Sequence, residues 1–124
     1  MEKFNINPKF LFSCKEKVEM NSTLYEHEGI PVIFVGEYRS VVSIFYAYDI
    51  EGVYNSYLVT PITDSDLEKF KNNEISVHEL YTKNGNNFCA IEMNVLTRNV
   101  ICFWDITMPE MIKILPSKEV MLRP

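Results

Sequence analysis

Glycine, cysteine and histidine are scarce in this chain of 124 residues, and each shortage removes a class of function. The four glycines, Gly29, Gly36, Gly52 and Gly85, stand singly. No Gly-rich loop precedes a helix, so the backbone cradle that holds nucleotide phosphates is missing. The two histidines, His27 and His78, lie far apart, and His78-Glu79 lacks the second histidine of a zinc-protease helix. The three cysteines, Cys14, Cys89 and Cys102, are odd in number, widely spaced and without a Cys-x-x-Cys pair. They read as reduced thiols of a cytosolic protein, with Cys89 and Cys102 inside strand patterns and not cross-strand partners. No Gly-x-Ser-x-Gly elbow is present. No apolar run approaches the roughly 18 residues of a membrane span, and no basic, apolar and small-residue succession marks an export signal. The expectation is a cytoplasmic chain with no membrane partner, no metal and no cofactor.

Charge of one sign is also short in one region. Between Glu19 and Glu79 eleven acids face three bases, Arg39, Lys69 and Lys71, whereas the rest of the chain carries an excess of bases. The overall balance is −5. With no basic stripe to neutralise phosphates, direct nucleic-acid binding is not expected. The acidic stretch reads either as solvated faces or as a surface that docks on a basic partner.

What the chain does have is aromatics, seven Tyr, eight Phe and one Trp, in runs that suit strands. Its clearest local signals lie in residues 56–81. Pro61 ends a strand, since proline donates no ladder hydrogen bond. Thr63 then caps a short helix over about 64–72, with Asp64 and Asp66 in the first turn and Lys69 and Lys71 in the last, as the helix dipole favours. Leu67 and Phe70 share the face that must pack on a sheet. Asn73 suits a left-handed helix end, and Ser76-Val77-His78-Glu79 has the spacing of a capping box.

The remaining segments read as strands. Lys9–Cys14 is a short strand or an arm, and 18–26 is a strand. Glu26–Gly29 is a turn with Gly29 at positive φ. Val32–Val35, Val41–Tyr48 and Tyr54–Thr60 follow, with turns at Gly36–Arg39 and Asp49–Gly52. Asn84–Asn87 is a turn, and Phe88–Val95 alternates as a half-exposed strand. Cys89, Ile91, Met93 and Val95 point one way in it, and Phe88, Ala90, Glu92 and Asn94 the other. Thr97–Asn99 turns that strand back into Val100–Trp104, closing a hairpin. Pro109–Leu115 is a helical turn with proline at its first position. The expected fold is one α+β domain over 1–124. Its antiparallel sheet has five to seven strands, a meander plus a C-terminal hairpin, packed by one main short helix.

Within this frame, Tyr25 with Gly29-Ile-Pro-Val-Ile-Phe34, Tyr57-Leu-Val-Thr-Pro-Ile-Thr63, Leu67, Ile75-Ser-Val-His-Glu-Leu80 and Ile114-Leu-Pro116 together resemble an uncharacterised family of small bacterial and bacteriophage domains. The resemblance covers about residues 25–81 plus the late fragment. It implies a small sheet with a short capping helix and a phage or mobile-element accessory role, and it carries over no catalytic or ligand residue.

One feature exceeds what folding requires. Phe45, Tyr46, Tyr48, Tyr54 and Tyr57 cluster on adjacent strands. If the helix covers the Phe45 face, Tyr46 and Tyr48 are left nearer solvent, beside Asp49, Glu51 and Tyr54. Tyrosine next to carboxylates suits protein recognition, and these five residues are the expected partner-binding site, for a host protein or a second copy in a homodimer. The competing expectations are a second covered sheet face and, in a different class, a small-molecule or nucleotide pocket or a minor enzyme site around His27 and Glu28.

Overall fold

The computed structural model describes residues 16–83 and 87–115. Among these residues six strands form one antiparallel sheet in sequence order: β1 (Glu19–His27), β2 (Ile30–Tyr38), β3 (Val41–Glu51), β4 (Tyr54–Pro61), β5 (Cys89–Asn94) and β6 (Val100–Trp104). Three short helices also lie among the described residues: α1 (Asp64–Lys71) and α2 (Val77–Thr82) between β4 and β5, and α3 (Met108–Ile114) after β6. The α+β meander with its C-terminal hairpin stands as expected. The expected strand or arm at 9–14, Cys14, most of the 84–87 turn and the tail after 115 lie outside the described residues.

Local chemistry accounts for the helices. Thr63 Oγ accepts from the Asp66 N–H, and Asn73 takes φ 63° just past the helix end. Ser76 and Glu79 form the expected capping box. Thr107 and Glu110 form another, with Pro109 in the first turn of α3. Helices of six to eight residues do not hold themselves together in water, so their apolar sides must anchor them. Phe70, Val77, Leu80, Tyr81 and Met111 do so against Ile33, Ile44, Leu58, Ala90 and Cys102.

The strands run further than the turn signals predicted. The Gly36–Arg39 segment is strand through Tyr38, and the reversal falls on Arg39-Ser40, at φ 57° and 67°. Gly36 serves close approach instead of turning: a Cβ there would collide with the Glu19 carbonyl, where β1 is bulged between Met20 and Ser22. Likewise β3 runs on to Glu51, and the turn is Gly52-Val53. The β1–β2 turn does place Gly29 at positive φ, 81°, as expected.

The sheet curls until its two ends meet. Lys17, just ahead of β1, bridges Asn99, just ahead of β6, and Val18 N–H donates to the Arg98 carbonyl while Val100 N–H donates to Glu16. The inner face therefore closes on itself. Phe34, Phe45, Tyr57, Ile91, Met93, Val100 and Val18 form a buried cluster there that includes no residue from a helix. For the same reason β5 is not half-exposed. Ile91 and Met93 are buried inside and Ala90 under the helices, leaving Glu92 and Asn94 partly open.

Candidate functional site

The structure places the five expected partner-binding residues on one face, by a route that alternation does not provide. On a regular strand Tyr46 and Tyr48 would share a face, and Asp49 and Glu51 would point away from them. In β3 the register against β4 slips between Ala47, opposite Tyr57, and Asp49, opposite Ser56. The extra residue is Tyr48. This bulge turns Asp49 and Glu51 onto the side of Tyr46 and Tyr48, and Glu51 pairs directly with Tyr54.

That side is the helix side, which corrects the expected arrangement. The helices cover the Tyr46 face, and Phe45 faces the closed interior, stacked on Phe34 at 4.4 Å. Tyr46 and Tyr48 are half-buried against the helix-covered core and are not the solvent-facing pair of the patch. The cause is room: three helices need a broad apolar floor, and the inner face is already consumed by the curl. Burial raises the pKa of Tyr46, and pushes that of Tyr48 up to about 12. A hydrogen bond with Ser56 lowers the Tyr48 value, whereas Asp49, Cys102 and Glu92 raise it. Asp49, Glu51 and Tyr54 are exposed, Tyr54 by 47%.

Two neighbours in the β3–β4 and β5–β6 turn region were not singled out from the sequence. Ile50 is 42% exposed and Leu96 72% exposed. The Val95 N–H donates to the Val53 carbonyl, which ties the two hairpin ends together. Asn94 shapes the second turn, its Oδ1 accepting from the Leu96 and Thr97 N–H groups. An exposed leucine in a turn was the available signal. Behind this tip, Asp49, Ser56, Glu92 and Cys102 line up across four strands, with Cys102 Sγ 3.8 Å from Glu92 Oε1.

His27 and Glu28, the alternative pair, sit on the β1–β2 turn with Nε2 and Oε2 3.8 Å apart. Their side chains are 63% and 83% exposed. Among the described residues no group of three or more His, Cys, Asp or Glu converges to hold a metal ion. Cys89 and Cys102 lie on opposite sides of the sheet. Burial pushes the Cys89 thiol up to about 11, so it is protonated at neutral pH and a poor nucleophile.

At the other end of the sheet a network surrounds the β2–β3 turn. Arg39 donates from Nε (2.6 Å) and Nη2 (3.2 Å) to the Glu16 carboxylate, and the Tyr38 hydroxyl donates to the same carboxylate at 3.0 Å. The Arg39 guanidinium lies over the Phe103 ring at 4.2 Å and over the Tyr38 ring at 5.1 Å. The Glu16 hydrogen bonds raise its pKa further, and burial foremost raises that of Tyr38. Neither Arg39 nor Ser40 is a residue type that takes positive φ without cost; each left-handed position costs about 1–2 kcal/mol. An open cavity of about 230 Å³ lies beside them, lined by Tyr38, Arg39, Val41, Val59, Phe88 and Cys89 among others.

Among the described residues no helix is long and apolar enough to cross a membrane. No family model, curated protein or solved structure matches the chain.

Proposed function

We propose that this protein is a small, cytoplasmic, non-enzymatic binding module whose partner is another protein. The partner docks on the helix-side tip of the β3–β4 hairpin, where Asp49, Glu51 and Tyr54 reach solvent and Tyr46 and Tyr48 form the floor. The observation that carries this reading is the bulge at Tyr48, which gathers two carboxylates and an exposed tyrosine on one face. Such a mixture recognises a basic surface with an apolar centre. The tyrosine supplies area with little side-chain entropy to lose, and the carboxylates steer approach. Bulges are frequent where a side chain is re-aimed for binding, which supports the same reading. The resemblance in residues 25–81 favours a phage or mobile-element accessory or inhibitor acting on a host protein, with a homodimer through the same tip as the nearest variant. Nucleic acid and membrane are not the partners proposed.

The test is pull-down from host lysate with wild type, Tyr54→Ala and Glu51→Lys, alongside sedimentation of each to detect self-association. All three should have the same circular dichroism, because both residues are exposed. The expected result is a captured protein, or a dimer, that either substitution weakens by about tenfold or more, as loss of an interface anchor does. Equal recovery and equal sedimentation of all three would remove the tip from consideration.

A further inference from the structure

We propose a second site, independent of the hairpin tip: the mouth of the curled sheet beside the β2–β3 turn binds a small molecule with an apolar body and one carboxylate, held by Arg39. The cavity there measures about 230 Å³ and opens to solvent. That is below the roughly 300–1,000 Å³ of sites for drug-sized ligands, so the occupant is a smaller molecule. Its walls are largely apolar, from Val41, Val59, Pro61 and Phe88, with Arg39 as the one cation among the described lining residues. Cys89, protonated at neutral pH, adds a neutral wall and no competing anion.

Arg39 is suited to donate to a ligand carboxylate by being fixed and by having donor capacity left. The Phe103 and Tyr38 rings flank its guanidinium, and Glu16 takes Nε and one Nη. A guanidinium offers five N–H donors, so about three remain beyond the two that Glu16 accepts. Half of the side chain, 47%, is still exposed. A carboxylate accepts two parallel bonds from such a fork, which a lysine in this place could not supply. The Glu16 pair holds the fork still before any ligand arrives, so less side-chain freedom is lost on binding. The position is also an unexpected one for arginine. A two-residue hairpin turn with both central residues at positive φ ordinarily takes Asn-Gly, and here it is Arg39-Ser40. The side chain, and not the turn, accounts for the residue.

Amide chemical shifts of the full chain, titrated with sodium benzoate and separately with benzyl alcohol, test this directly. Benzoate should shift the amides of Arg39, Val41, Phe88 and Cys89 saturably, and bind about tenfold or more tightly than the neutral alcohol, the worth of one charge-assisted pair. Arg39→Gln should reduce benzoate affinity to that of the alcohol. Val41→Trp, at an exposed rim position that leaves the Glu16 pair intact, should exclude both probes whether or not Arg39→Gln folds. Absence of saturable shifts, equal affinity for the two probes, or undiminished binding by Val41→Trp would overturn the site. None of these results bears on the hairpin tip, whose variants lie at the opposite end of β3.

Discussion

On the inner face of the sheet Phe34 and Phe45 stack at 4.4 Å, and Tyr57 meets both edge-on at 5.3 and 6.3 Å. The Tyr57 hydroxyl reaches past β3 to donate to the Pro31 carbonyl at 2.7 Å. On the helix face the buried tyrosine is Tyr81, and its hydroxyl donates down to the sheet, 2.7 Å from the Leu58 carbonyl and 3.1 Å from that of Ile44. Both faces thus use a buried tyrosine to tie distant backbone together. They differ in who supplies the cover. The inner face is covered by strand curvature, and its buried cluster draws on no helix. The helix face depends on three helices too short to exist unless docked. The lesson is that burial of equal depth does not mean equal resistance to local opening. It also explains why the exposed residues of the proposed tip lie on the helix side: beyond the reach of α1–α3 that face has no further cover.

The comparison breaks most sharply at its two phenylalanines. Phe45→Ala should lower global stability by about 3–5 kcal/mol, because the cavity opens inside a cluster that cannot collapse around it. Hydrogen exchange should then accelerate in all six strands together. Phe70→Ala, equally buried, should accelerate exchange in α1 and α2 before the strands. If both substitutions give the same exchange pattern, the two faces are one unit and the distinction fails.

Alkaline titration sharpens the inner-face side of it. Burial pushes the Tyr57 pKa up to about 12, against the usual value near 10. A folded pKa above the unfolded one contributes stability in full below about pH 10 and loses it as pH climbs through the folded value. Denaturant melts should therefore show stability falling from about pH 10 to about 12, with Cys89, raised to about 11, contributing from about pH 9. Tyr57→Phe should start less stable at neutral pH, having lost the Pro31 bond, and decline less steeply. Parallel curves for the two proteins would contradict the assignment. Tyr48 also stands at about 12, and burial raises Tyr38, Tyr46 and Tyr81 as well, so the slope should diminish and not vanish.

The smallest effect belongs to the helix-face tyrosine. Tyr81→Phe removes one hydroxyl above the Leu58 and Ile44 carbonyls, at a cost of about 0.5–1.5 kcal/mol. Chemical denaturation would measure it, with exchange in α2 rising more than in β3. A loss as large as that of Phe45→Ala would mean that this one bond, and not apolar packing, docks the helices.

Much of this fold was legible in advance where a residue acts on its immediate neighbours. Thr63, Asn73 and the Ser76–Glu79 box act within one helical turn, and each does what its chemistry demands. Alternation placed Ile91 and Met93 opposite Ala90, and the spacing kept Cys89 and Cys102 apart. Turn positions were less accurate because Gly36 and Asp49 resemble turn residues but stand inside strands. One is there for the approach of the Glu19 backbone, the other on the far side of a bulge.

Sequence alone determined the class of the molecule, the order of its strands, the caps of its first two helices and the absence of familiar motifs for nucleophilic, zinc-protease or phosphate-loop chemistry. These depend on residue type and on neighbours a few positions away. Only the tertiary structure decided which face the helices cover, that the sheet curls onto its own inner face, and that one extra residue at Tyr48 turns Asp49 and Glu51 to the side of Tyr54. Those outcomes follow from how twisted strands pair across the whole sheet and from which apolar surface remains to be covered. Both are properties of contacts between segments far apart in the chain.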